Sequence, residues 1–181
     1  MASPEEERDW ISRSQQGDAA AFGALVREYQ RMIHSVTFRM TGSMADSEDL
    51  AQEAFVRAYE QVGAFRSESK FSTWLCRIAV NACLSWRKRE NRRQYVHDQW
   101  ALDNLQQADQ APEINDPDKS WQRIQSALNR LPAKQRAAIV LTVYENMSHA
   151  EAAHALGCAE TTVSWRLFAA RGKLKRWLGP R

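Results

Sequence analysis

Long apolar runs are missing from this chain. No stretch reaches the roughly 20 consecutive apolar residues of a membrane helix. The opening, Met1-Ala2-Ser3-Pro4-Glu5-Glu6-Glu7, lacks the basic start and apolar segment of a secretory signal, so a cytoplasmic location is expected. Cysteine is scarce too: Cys76, Cys83 and Cys158 form neither a Cys-x-x-Cys nor a paired framework, which argues against a disulfide scaffold and a zinc ribbon. Packed free thiols are expected, and nothing in the spacing supports a redox role. No Gly-rich phosphate loop, strand-like alternation or repeat of 20–50 residues occurs, so an α/β nucleotide enzyme and a solenoid both lack support. His149 and His154 stand five apart, where a zinc-protease helix needs four; that offset turns the two rings off one face. No catalytic residue, metal site or cofactor is expected, and the chain reads as a non-enzyme.

What is present is a folded composition, 44% hydrophobic and 26% charged over 181 residues, enough for two small domains. The net charge of +3 is too small to argue for nucleic acid by itself, but the charges are segregated. Arg87, Lys88, Arg89, Arg92 and Arg93 form one basic cluster, and Arg166, Arg171, Lys173, Lys175 and Arg176 form another. Between them residues 94–118 hold six acids, no Lys or Arg, and Pro112 and Pro117, the composition of a flexible linker.

On either side the pattern is helical, giving an all-α class with two helical units. Asp18 is a plausible N-cap for a helix with Phe22, Leu25, Val26, Tyr29, Ile33 and Val36 on one stripe, ended at Gly42 and Ser43. Residues 45–62 put Ala51, Ala54, Phe55, Ala58, Tyr59 and Val62 inward and leave an acidic face. Residues 71–92 bury Phe71, Trp74, Leu75, Ile78, Ala79, Ala82 and Trp86 and leave a basic, polar face. After the linker, Pro132 is expected in the first turn of a helix carrying Ala138, Ile139 and Leu141. Ser148-His149-Ala150-Glu151 is a capping box opening a short helix that ends at Gly157. A second helix then follows, with Ala153 and Val163 at the crossing of a helix-turn-helix. Val163, Leu167, Ala170 and Leu174 fill its inward stripe, leaving Thr161, Ser164, Trp165, Phe168 and Arg171 facing out. Trp165 is the ambiguous residue: outward it would touch DNA, inward it would be a core aromatic, and the filled stripe favours outward.

Two stretches then carry a resemblance. Asp49-Leu-Ala-Gln-Glu-Ala-Phe-Val-Arg-Ala-Tyr59 followed by Phe71-Ser-Thr-Trp-Leu-Cys-Arg-Ile-Ala-Val-Asn81, together with the helix-turn-helix, resembles the extracytoplasmic-function (ECF, group 4) sigma factors of the sigma-70 family. The resemblance implies a region 2 domain at 1–93, an acidic linker at 94–118 and a region 4 domain at 119–181. It implies that Asp49, Gln52 and Glu53 dock on the clamp coiled coil of the polymerase β′ subunit, with the β subunit as a further contact. It also implies that the loop of Phe65, Arg66, Ser67, Glu68, Ser69 and Lys70 holds a flipped base of the minus-ten element, assisted by Arg77, Asn81 and Lys88. Minus-thirty-five contacts would come from Thr161, Thr162, Ser164, Trp165, Arg166, Phe168 and Arg171. Many relatives have Arg-Ser-Arg where this chain has Ser164-Trp165-Arg166, and a further Arg at Ala169, so the resemblance names no minus-thirty-five sequence for it. Core polymerase, promoter DNA and an anti-sigma factor, often membrane-anchored, are the implied partners, with no small-molecule substrate. An acidic linker would pass near the RNA path or serve as a plain tether. The rival reading is a stand-alone helix-turn-helix regulator, which would bind duplex DNA unaided.

Overall fold

Short polar side chains decide where the first helices start. Ser3 accepts from the Glu6 N–H while the Glu6 carboxylate accepts from the Ser3 N–H, and with Pro4 in the first turn this opens α1 (Pro4–Gln15). Asp18 accepts from the N–H groups of Ala20 and Ala21 and opens α2 (Ala19–Thr41). The chain then reverses at Gly42, whose φ of 80° lies in the left-handed region that glycine tolerates, and Ser43 caps α3 (Met44–Gln61). A 3-10 turn (Val62–Ala64) leads into loop 65–70 and then α4 (Phe71–Trp100). The structure, a computed structural model, describes residues 2–100 and 117–179, with side chains at 2–93 and 120–179. Most of the stretch read as a linker lies outside the described residues.

The second half comprises α5 (Pro117–Arg130), α6 (Ala133–Ile139), a π-helical turn (Val140–Tyr144), α7 (His149–Leu156) and α8 (Glu160–Leu178). Among the described residues every regular element is helical. Two boundaries differ from the sequence reading. α4 runs past residue 92, through Arg93 to Trp100, a stretch that holds neither Gly nor Pro to break the helix. Pro132 sits at the N-cap of α6 and not inside its first turn.

The helices form two packed groups. In α1–α4, Phe22, Leu25, Ile33, Val36, Leu50, Phe71 and Leu75 are buried, and α2 lies against α1, α3 and α4. In α5–α8, Leu128, Leu131, Leu141, Val163 and Leu167 are buried around α6 and α8. Each fully buried side chain of this size contributes about 1.5–3 kcal/mol. The groups also meet, α4 against α7 and α2 against α5, α6 and the π turn, so their apolar clusters join. Tyr59, expected inward, leaves 44% of its surface exposed while its ring meets Phe22 edge-on at 5.1 Å. Among the described residues no helix is long and apolar enough to cross a membrane.

Candidate nucleic-acid interface

On α3, Asp49 and Gln52 are exposed and Glu53 is half-buried, paired with Arg57 one turn along. Asp46, Asp49 and Glu53 form one wall of an open groove of about 470 Å³, whose other side is Trp86, Arg89, Glu90 and Arg93 from α4. The sequence reading had placed Trp86 in the core, yet it is only partly buried and gives this charged groove an apolar floor beside Leu50. Its spacing on the buried stripe hid that second role. An acidic wall with an apolar centre suits a basic helical partner.

Loop 65–70 divides into a root and a tip. Phe65 is only 7% exposed and packs against Phe71 at 5.4 Å and Trp74 at 5.3 Å, which makes it part of the loop's scaffold. An aromatic at a loop root covers the bundle's end at little entropic cost. The Gln15 amide from α1 donates to the carbonyls of Phe65 (2.8 Å) and Val62 (3.2 Å), fixing that root. Beyond it Arg66, Ser67 and Glu68 are exposed, Ser67 with a φ of 55°, and Ser69 is half-buried. Lys70 is also exposed, but its ammonium meets Glu151 of α7 at 2.8 Å. Arg77, Asn81 and Lys88 share the free face of α4. Arg87, part of the basic cluster in sequence, donates to the Asn129 carbonyl at 2.9 Å, and burial lowers its pKa.

The helix-turn-helix is built as its sequence foretells. Ser148 and Glu151 exchange caps, Gly157 turns with a φ of 58°, and the Cys158 N–H donates to the Ala153 carbonyl across the turn. Val163, Leu167 and Ala170 are buried, while Thr161, Ser164, Trp165, Phe168 and Arg171 are exposed. Trp165 shows 63% of its surface and Phe168 80%. Thr162 is half-buried, as is Arg166, whose guanidinium donates to Cys158 Sγ at 3.4 Å and braces the turn. The Ser164 hydroxyl donates to the Glu160 carbonyl and lies 3.0 Å from His149 Nδ1. Lys70 and then Ser148 hold the Glu151 carboxyl down at about 2.

Cys76 and Cys83 are buried, and burial pushes both thiols up, Cys83 to about 12, which disfavours the reactive thiolate. Cys158 is half-exposed. Among the described residues no group of three His, Cys, Asp or Glu side chains is placed to hold a metal ion.

Two helical groups, one with an acidic groove and a polar helix face and the other with a helix-turn-helix presenting its second helix, define a bipartite DNA-reading factor. Residues 25–93 match the family described as Sigma-70 region 2, and residues 121–174 match Sigma-70, region 4. The chain is similar to RNA polymerase sigma-H factor of Pseudomonas aeruginosa, 32% identical over 99% of this chain and 97% of that protein. It is similar to ECF RNA polymerase sigma-E factor of Escherichia coli, 33% identical over 94% of this chain and 93% of the relative. Among solved structures, the sigma factor RpoE of Bartonella quintana, in complex with the anti-sigma factor NepR, matches with a TM-score of 0.67 at 25% identity, covering 87% of this chain and 96% of that one. The chain belongs to the sigma-70 family, in its extracytoplasmic-function branch. It is a transcription initiation factor and not an enzyme.

Proposed function

We propose that this factor binds core RNA polymerase through the acidic face of α3, centred on Asp49, Gln52 and Glu53, and places two DNA-reading surfaces on a promoter. The minus-ten element is read by Arg66, Ser67, Glu68, Ser69 and Lys70 of the loop tip with Arg77, Asn81 and Lys88 of α4. The minus-thirty-five element is read by Thr161, Thr162, Ser164, Trp165, Phe168 and Arg171 of α8, with Arg166 acting at one remove by holding the turn. On this reading the domains are residues 1–93 and 119–181, joined by the acidic stretch. The observation that carries the proposal is the exposed face of α8, where two large aromatics sit in water on the helix that such a motif sends into the major groove. Apolar rings there favour thymine methyl groups.

The factor works in the cytoplasm and is restrained by an anti-sigma factor, which places it at the inner membrane when that partner is anchored there. Support comes from the RpoE likeness, since that sigma factor was solved with its anti-sigma factor bound. Run-off transcription of genomic fragments by core polymerase with this protein added tests the whole reading and yields the promoter. Gel shifts with and without core enzyme separate it from a stand-alone regulator, which binds its site without polymerase.

A further inference from the structure

The two ends of loop 65–70 are held differently. At the exit the Lys70 carbonyl accepts from the N–H groups of Thr73 and Trp74, so the first turn of α4 fixes it with local bonds. At the entry the Phe65 N–H closes the 3-10 turn on the Val62 carbonyl at 3.0 Å, a single short-range bond. The remaining polar hold comes from far away in sequence. Gln15, the last residue of α1, donates its side-chain amide to the Phe65 carbonyl at 2.8 Å and to the Val62 carbonyl at 3.2 Å. One NH2 group thereby bridges the start of the 3-10 turn and the first residue of the loop, which sets the direction in which the chain leaves the bundle.

The tip depends on that direction. Among the described residues, Arg66, Ser67 and Glu68 make no backbone–backbone hydrogen bond. Ser67 nevertheless holds a φ of 55°, left-handed for a residue with a side chain. Such a conformation persists only where its surroundings impose it. With the tip unbonded, the constraint comes from the two ends. The helix that carries Gln15 is itself firmly placed: Ile11 is buried, the Tyr29 hydroxyl donates to Glu7 at 2.8 Å, and Arg13 pairs at 2.6 Å with Asp18, which caps α2. The last turn of α1 is therefore a fixed anchor, although α1 precedes the residues that match region 2.

We propose that Gln15 is a positioning residue for minus-ten recognition: its amide, clipped to the Val62 and Phe65 carbonyls, holds the loop in the shape that seats an extruded base. The proposal rests on the sigma-factor reading above. An extruded base gives up its stacking and pairing, and a pocket already in shape recovers more of that loss than one that must be ordered first. A loop that samples other shapes binds the base more weakly, in proportion to the fraction that remains competent. Two hydrogen bonds to carbonyls suffice to shift that balance about tenfold. Gln15 touches no base; its effect passes through the Phe65 backbone to the exposed tip.

The test compares the full wild-type chain with Gln15→Met, which keeps the side-chain length and deletes the donor, and with Gln15→Lys, which returns a donor of similar reach. Run-off transcription with core polymerase is measured from a promoter recovered with the wild-type factor and from its single-base variants. Gln15→Met is expected to lose about fivefold or more of the discrimination at the minus-ten base held by the loop. It is expected to keep wild-type discrimination at every minus-thirty-five position. Its melting temperature should stay within a few degrees of the wild type, because Gln15 is exposed. Gln15→Lys is expected to restore the minus-ten discrimination. Undiminished minus-ten discrimination in Gln15→Met overturns the proposal, as does a loss spread evenly over both elements, a loss that Gln15→Lys does not restore, or a large fall in melting temperature. If the wild-type factor transcribes no promoter with core polymerase, the sigma-factor reading fails instead. Hydrogen exchange of the Phe65 amide then judges the clip by itself: faster exchange in Gln15→Met than in the wild type upholds it, and equal exchange overturns it.

Discussion

Trp165 leaves 63% of its surface in water, and the buried stripe of α8 is complete without it. Trp165→Ser is therefore expected to change stability by no more than about 0.5 kcal/mol, as surface changes do, while altering which minus-thirty-five sequences are selected. Selection from randomised promoters paired with a melting curve checks both. Phe65 is the opposite case. Phe65→Ala removes a ring held by two aromatic neighbours and is expected to cost about 3–5 kcal/mol of folding stability in a denaturant titration. The two residues show what the sequence could tell at this scale. Trp165 was readable because helical periodicity fixes its side. Phe65 stands in a loop, where no period applies, and the aromatic cluster that buries it involves residues of α4, later in the chain.

At the scale of elements, α7 depends on a cap that is also an ion pair. Glu151 is held near 2 against an ordinary 4.5, its carboxylate paired with the Lys70 ammonium and accepting from the Ser148 N–H. A depressed carboxylate pKa stabilises the fold above the unfolded value and loses that contribution as pH falls through the folded one. Melting temperature is thus expected to fall between about pH 5 and pH 2, and Glu151→Gln should flatten that part of the profile. Ser148→Ala removes the reciprocal partner and is expected to cost about 1 kcal/mol. This cap was legible because Ser-x-x-Glu is a local pattern. An identical pattern, Ser3 to Glu6 with Pro4, opens α1, a helix the stripe-based reading passed over because so little of it is buried. The π turn at Val140–Tyr144 left no local mark: its sequence, Val-Leu-Thr-Val-Tyr, differs in nothing obvious from an ordinary helical turn.

Across the whole molecule, the acidic wall of α3 and the basic residues Arg89 and Arg93 of α4 are brought to the two sides of one groove. Asp49→Arg is expected to abolish co-purification with core polymerase while leaving the helical circular dichroism unchanged, since Asp49 is exposed and supports no core contact. Both domains and their order were readable from motif and period. Their mutual seam was not. Arg136 binds a carbonyl 96 positions away, and no sequence rule marks which arginine will close a distant helix end.

The three thiols differ in access, and that difference makes the chain its own reporter. Cys158 is within reach of a reagent, whereas Cys76 and Cys83 are shut in the N-terminal core with protonated sulfurs. A colorimetric thiol titration of the native protein should therefore count one group promptly and three after denaturation. The slow appearance of the other two, followed under native conditions with reagent in excess, clocks how often that core comes apart, with no dye, tag or substitution added.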